Sequence, residues 1–239
     1  MAVCAFCGFQ GKLTREDALP TWLMNYLWPA GTRKGMAKTW GSAQQLRQNW
    51  KLGYDYRLKT MTLCADCNTA WLGPFEKRAK AKLRAWISGL RGPVTQYELR
   101  LLAFWAIKTA MTVDLAHPGR RRHIPAGQYH ELRTNVDRPP VGVHIWAAMR
   151  VIPYRGIGHM SRVFRFRYFD RGGAIARAHT QDGYQVILSI RHLELHVLGL
   201  GVGGLDPIEL LPDYVAPLVA AESPFHRLWP LSEIPDLYQ

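Results

Sequence analysis

Residues able to do chemistry concentrate at two points of this 239-residue chain. All four cysteines fall in two C-x-x-C pairs, Cys4-Ala5-Phe6-Cys7 and Cys64-Ala65-Asp66-Cys67. Two-residue spacing lets both thiolates of a pair reach one ion from a tight turn. Two such turns complete the tetrahedral four-sulfur shell that structural Zn²⁺ prefers. A pair of disulfides is the alternative in an oxidising compartment, and a redox C-x-x-C is another, although redox chemistry has no need of a second copy. The spacing therefore predicts structural zinc on Cys4, Cys7, Cys64 and Cys67. Residues 8–63 would lie inside the loop that the metal closes.

Each pair is followed by a run of polar and aromatic residues. After the first comes Glu16-Asp17-Ala18-Leu19-Pro20-Thr21-Trp22-Leu23, and the second runs on as Cys67-Asn68-Thr69-Ala70-Trp71, with Glu76 five residues later. Together these runs resemble the HNH (ββα-metal) endonuclease family, in particular its zinc-stapled members from actinobacteria and their phages. The resemblance is densest over residues 1–80, extends into 95–115 through Leu102-Ala103-Phe104-Trp105-Ala106-Ile107-Lys108-Thr109-Ala110, and thins beyond.

The resemblance implies a zinc-stapled ββα-metal module and a nuclease that uses one divalent cation, Mg²⁺ or Mn²⁺, to neutralise phosphate charge and stabilise the leaving oxyanion. Carboxylates are the natural hard ligands for such an ion, and Glu16, from a strand end, and Glu76, from the helix after the second cysteine pair, would supply two. Asn68 would hold the loop by hydrogen bonds. The family's general base is a histidine, and here that position is Asp17. An aspartate with its ordinary pKa of about 3.9 is a poor base at neutral pH, and it adds negative charge where a phosphate must approach. Asp17 then either joins the metal ligands while another group acts as base, or the site is inactive. Taken without the resemblance, Thr14 could cap a helix whose first turn carries Glu16 and Asp17, where acids are stabilising. Gly73-Pro74 predicts a helix that begins near Pro74, with Glu76 in its first turn.

Charge is the strongest compositional signal. Thirty-one Lys and Arg face 18 acids, a formal net charge of +13. A chain this basic is suited to polyanions, nucleic acid first among them and an acidic protein as the alternative. Lys77, Arg78, Lys80, Lys82 and Arg84 crowd the helix expected after Pro74, beside the proposed metal site, where they could grip a phosphate backbone. The same helix could equally be a solvated face over buried Phe75, Leu83, Trp86 and Ile87. Arg33 and Lys34 add charge within the enclosed loop, and Arg120, Arg121, Arg122, Arg162, Arg165 and Arg167 continue the basic surface.

Those side chains require a frame. Apolar residues at helical spacing predict a long core helix over 95–117, with Lys108 and Asp114 as satisfied interior or edge residues. A short helix is expected from Ile124-Pro125 to about Thr134. From Val141 the apolar period becomes two, which predicts a small antiparallel sheet with one wet face. His192, Glu194 and His196 lie along one of its strands, where an amphipathic strand accounts for them better than a metal does. The last segment, from Leu205, is proline-rich and should wrap the body. The expected class is α+β, with a zinc-bound HNH-like module over 1–91 and a helical and antiparallel-sheet domain over 92–239. No run of about 18 apolar residues suggests a membrane span, and the N-terminus lacks the charged start and apolar core of a secretion signal. The chain is expected to be cytoplasmic, to bind nucleic acid (DNA ahead of RNA), and to cut or nick it if the site is active. The rival expectation is an inactive scaffold that binds nucleic acid or a host macromolecular machine, as a phage-encoded inhibitor would.

Overall fold

The computed structural model describes residues 1–28, 37–38, 49–50, 59–116, 122–135, 138–153, 157–169, 178–201, 207 and 225–230. Among these residues the class is α+β, with four α-helices and antiparallel sheets. Two strands, β1 (Thr14–Asp17) and β4 (Lys59–Leu63), pair antiparallel. Between them in sequence lie α1 (Thr21–Leu27) and the short pair β2 (Ala37–Lys38) and β3 (Asn49–Trp50). After β4 a π-helical stretch, Asp66–Leu72, runs directly into α2 (Gly73–Ile87). Then follow α3 (Gln96–Ala116), α4 (Ala126–Thr134) and five strands: β5 (Val143–Met149), β6 (Ile157–Phe169), β7 (Ala178–Ile190), β8 (Leu193–Gly199) and β9 (Phe225–Trp229). These form one antiparallel sheet in the order β6-β7-β8-β5-β9.

Residues 14–17 form a strand with Glu16 near its end, which sets aside the alternative of a helix capped by Thr14; the Thr14 hydroxyl donates instead to Leu63 O across the strand pair (3.0 Å). The α-helix begins at Gly73-Pro74 with Glu76 in its first turn, as expected, but the π-helical stretch Asp66–Leu72 precedes it without a break. The sheet does not keep one wet face throughout. Val143, Ile145 and Ala147 point to the core as expected, yet His144, Trp146 and Ala148 on the opposite face of β5 are buried too, as are His196 and Leu198 on β8. Alternation reads the two faces of a strand but not what covers the second one.

Helix α3 is the centre of the molecule. Fifteen of its 21 residues are buried, Lys108 and Asp114 among them, and it packs on α2 and β4 to one side and on β5, β8 and β9 to the other. A helix apolar nearly all round is what a core position requires. Its start carries a capping box: Glu98 N–H donates to Thr95 Oγ1 (3.2 Å) and Thr95 N–H donates back to the Glu98 carboxylate (2.8 Å). Asp114, near its end, accepts from the Tyr129 hydroxyl (2.9 Å) and the His123 N–H (3.1 Å), which fixes α4 against it. Among the described residues no helix is long and apolar enough to cross a membrane.

One hydrophobic core crosses residue 91. It contains Phe6, Leu63, Trp71, Phe75 and Leu83 together with Phe104, Tyr129, Ile145, Val186 and Leu195. Phe6, between the first two cysteines, is fully buried; its ring meets Trp71 edge-on at 5.3 Å and Tyr129 at 5.4 Å. The N-terminal turn is thereby keyed into α4 as well as into its own module. Phe6→Ala should destabilise the whole chain by about 3–5 kcal/mol, as large-to-small core changes do. Chemical denaturation followed by tryptophan fluorescence would register a single transition at lower denaturant; a loss under about 1 kcal/mol would contradict this packing.

Candidate metal centre and carboxylate cluster

The two cysteine turns meet. Their four Sγ atoms all lie within 4.8 Å of one another, and Cys7 Sγ is 3.6 Å from Cys64 Sγ. A tetrahedral ion with metal–sulfur bonds of about 2.3 Å requires sulfur–sulfur edges of about 3.8 Å, so the spacing fits one metal ion such as zinc. None of the four is in a disulfide. The first turn closes through Gly8, whose N–H donates to Cys4 O (3.0 Å) in a left-handed conformation (φ 73°) that favours glycine. The two turns are joined by Ala5 N–H to Thr62 O (2.8 Å) and by Cys64 N–H to Cys4 Sγ (3.3 Å). Burial works against a Cys4 thiolate, but N–H groups of Cys64, Cys7 and Phe6 outweigh it and bring this thiol down to about 7. Burial pushes Cys67 well above the ordinary thiol range, opposed by a hydrogen bond from Arg133. Arg133 comes from α4, also pairs with Asp66 Oδ2 (3.0 Å), and lies 5.1 Å over the Trp71 ring. Its cation offsets part of the negative charge that four thiolates carry.

The same convergence assembles a second cluster. The pairing of β1 with β4 slips by one residue between Thr14 and Glu16. Bulges of this kind re-aim a side chain, and here the slip falls directly before Glu16. Asn68, one residue past the fourth cysteine, donates to Thr14 Oγ1 (3.0 Å) and also hydrogen-bonds Glu16. Glu76, on the first turn of α2, pairs with the Lys108 ammonium, whose Nζ is also 4.0 Å from Glu16 Oε1. The Lys108 side chain is 2% exposed, against 15% for Glu16 and 19% for Glu76. An ammonium therefore lies beneath two carboxylates that reach the surface. Asp17 accepts a hydrogen bond from Thr21 Oγ1 (2.9 Å), which ties the strand end to the first turn of α1. Burial pushes the Glu16 carboxyl up to about 7; Lys108 pulls the other way, while Glu76 and Asp17 raise it further.

Glu16, Asn68 and Glu76 thus come from three elements to one place, while Asp17 follows Glu16 on β1 and is held by Thr21 of α1. Lys108 was legible only as an interior residue of α3. The missed signal is the lysine itself: a buried ammonium in an apolar helix requires an anion, and only residues packed against α3 can provide one.

The basic residues divide. Lys77, Arg78 and Arg84 are exposed along α2, Arg78 over Phe75 (4.4 Å) and Arg84 over Tyr26 of α1 (5.0 Å). Lys80 is half-buried over Trp22 (5.7 Å). Lys82 is committed to structure, donating to Pro93 O (2.7 Å) and pairing with Glu98 (3.2 Å), so it braces α2 against the start of α3. Arg33 and Lys34 lie outside the described residues, as do Arg120 and Arg121. His192 falls in the turn before β8 and its Nδ1 meets Arg150 O (2.8 Å), while His196 Nε2 meets Glu194 Oε1 (2.8 Å). Among the described residues the four cysteines are the one cluster of three or more Cys, His, Asp or Glu side chains placed to share a metal ion.

No protein-family model, curated protein or solved structure matches this chain.

A carboxyl group whose folded pKa lies above its unfolded value binds more protons in the native state between the two, so it stabilises fully below the unfolded value and that contribution is lost as pH rises through the folded one. For Glu16 the window runs from about 4.5 to about 7. Glu16→Gln should flatten the fall in thermal stability across that window, by on the order of 2 kcal/mol at its upper end. Parallel melting curves of the two proteins at pH 5 and pH 8 would contradict this burial.

Proposed function

We propose that this protein binds nucleic acid through an HNH-like module and cuts or nicks DNA in a reaction dependent on Mg²⁺ or Mn²⁺. The observation that carries the reading is the convergence of Glu16, Asn68 and Glu76, with Asp17 next to Glu16 on β1, at the junction of a strand pair and the helix that follows it, beside a four-cysteine cluster. In this reading zinc on Cys4, Cys7, Cys64 and Cys67 is structural. The carboxylates of Glu16 and Glu76, with Asp17 beside them, are the hard oxygen donors that would hold the divalent cation, which supplies neutralising charge to a scissile phosphodiester.

The chain's own groups do the rest. Asn68 orients Glu16, Lys108 fixes Glu76 from below and limits the net negative charge of the cluster, and exposed Lys77, Arg78 and Arg84 hold the phosphate backbone by contacts that weaken with salt. Asp17, hydrogen-bonded by Thr21, occupies the position of the base and is the weak point of catalysis. The free cysteines suit a reducing, cytoplasmic setting.

One observation favours a second reading, a non-catalytic scaffold that binds nucleic acid or a protein machine. The Lys108 ammonium already pairs with Glu76 and lies 4.0 Å from Glu16, so the cluster has a cation of its own without a divalent ion.

Supercoiled plasmid incubated with the purified protein and Mg²⁺ or Mn²⁺ separates the two. The nuclease reading expects open-circular product, its loss in Glu76→Ala, and faster nicking by Asp17→His. Binding to the plasmid without nicking by either wild type or Asp17→His overturns catalysis and leaves the scaffold; nicking that survives Glu76→Ala overturns the assignment of the site.

A further inference from the structure

The long hairpin of β6 and β7 is built differently from the rest of the sheet. Its strands pair over their full length, from Ile157↔Ile190 to Phe169↔Ala178. The next strand, β8, joins β7 only from Tyr184 to Ile190. Beyond Tyr184, therefore, six residue pairs, Phe164↔Gly183 to Phe169↔Ala178, bond only to each other among the described strands. At about 3.3 Å per residue this is a two-stranded ribbon about 20 Å long.

Alternation sorts its side chains. Phe164 and Phe166 share one face, with ring centroids 6.0 Å apart, and Phe166 is buried. Phe164 lies across Gly183, where an added Cβ would come within 2.6 Å of the ring, so glycine admits the aromatic cover and the ribbon is stiffened on that side. Arg165 and Arg167 point to the opposite face and are exposed, with Asp182 and Thr180 across from them. Arg165 pairs with Asp182 (2.8 Å), which holds its guanidinium against the ribbon. Arg167 has no ion-pair partner among the described residues. The root of the ribbon is tied to the helix that carries Lys108: Ser161 Oγ is 3.1 Å from His123 Nδ1, and the His123 N–H is held by Asp114 of α3.

We propose that this ribbon is a duplex-DNA contact arm, with Arg165 and Arg167 as its phosphate- or base-contacting groups. The inference rests on the nucleic-acid reading above and adds where, and in what form, the polymer is held. A two-stranded ribbon fits the major groove of B-form DNA, about 12 Å wide, whereas A-form RNA has a deep, narrow major groove that excludes it. Cationic side chains on the face away from the aromatic cover complement the negative charge of the groove walls.

The test is fluorescence anisotropy of the full-length protein on a labelled 30-base-pair DNA duplex across a salt series, beside the same sequence as duplex RNA. Arg165→Gln/Arg167→Gln should weaken DNA binding about tenfold or more and lower the slope of log affinity against log salt by about 2, one for each lost contact. Arg91→Gln/Arg100→Gln removes the same charge from exposed positions near the far end of α3 and should change both far less. An unaltered melting temperature shows that the arm variant is folded; if it melts early, Arg167→Gln alone, which breaks no ion pair seen here, takes its place with a slope change of about 1. A wild-type chain that binds no duplex overturns the nucleic-acid reading and the arm together. Wild-type binding that the arm substitution leaves intact, that the control pair weakens equally, or that is as tight on duplex RNA overturns the arm alone.

Discussion

Four thiols drawn from the two ends of residues 4–67 meet at one point, and β1, β4 and the start of α2 are arranged by that constraint. Cys4 and Cys7 lie just before β1, and Cys64 and Cys67 lie between β4 and the helix. Bringing the sulfurs together therefore brings β1 alongside β4 and sets both against the start of α2. Backbone bonds from Ala5 to Thr62 and from Cys64 to Cys4 reinforce the junction. Glu16 and Glu76 are neighbours because of this junction and not because of their sequence separation. Burial of Phe6 and the reach of Arg133 extend the same fixed point into α4.

Lys108 is the second element of the design. A buried ammonium is costly unless it is paired, and removing one partner of such a pair commonly costs about 3–5 kcal/mol. The lysine therefore fixes the relation of α3 to β1 and α2, and the carboxylates fix the lysine. It also sets the electrostatics of the cluster. Glu16 and Glu76 without it would be two partly buried carboxylates with no cation from α3 beneath them. With it, a cation lies beneath the two carboxylates that reach solvent.

Much of this was legible in the sequence, for identifiable reasons. Two-residue cysteine spacing is a local geometric property, so the metal ligands could be read directly. The 3.6-residue period likewise gave α3 and α4 to within about two residues at each end, whereas the two-residue period gave the antiparallel sheet but neither the full length of β6 and β7 nor β9, which falls in the proline-rich segment expected only to wrap the body. Asn68 and Glu76 were reached only through the resemblance to a known motif. What the sequence hid was tertiary. Residues 14–17 carry both a capping pattern and strand potential, and pairing with β4 decided between them. Nothing along α3 says which anions Lys108 will meet. His144 and Trp146 read as the wet side of β5, because a strand's own alternation does not reveal what covers its second face. Lys82 read as one more phosphate-gripping cation, and the carbonyl of Pro93 and the carboxylate of Glu98 claimed it.

Zinc K-edge X-ray absorption on the purified protein measures the shared sulfur site without reference to activity. The account predicts one zinc per chain in a shell of four sulfurs at about 2.3 Å. A metal-free protein that is folded, or a zinc shell dominated by nitrogen and oxygen, would contradict it, and the frame that sets Glu16 beside Glu76 would have to be sought elsewhere.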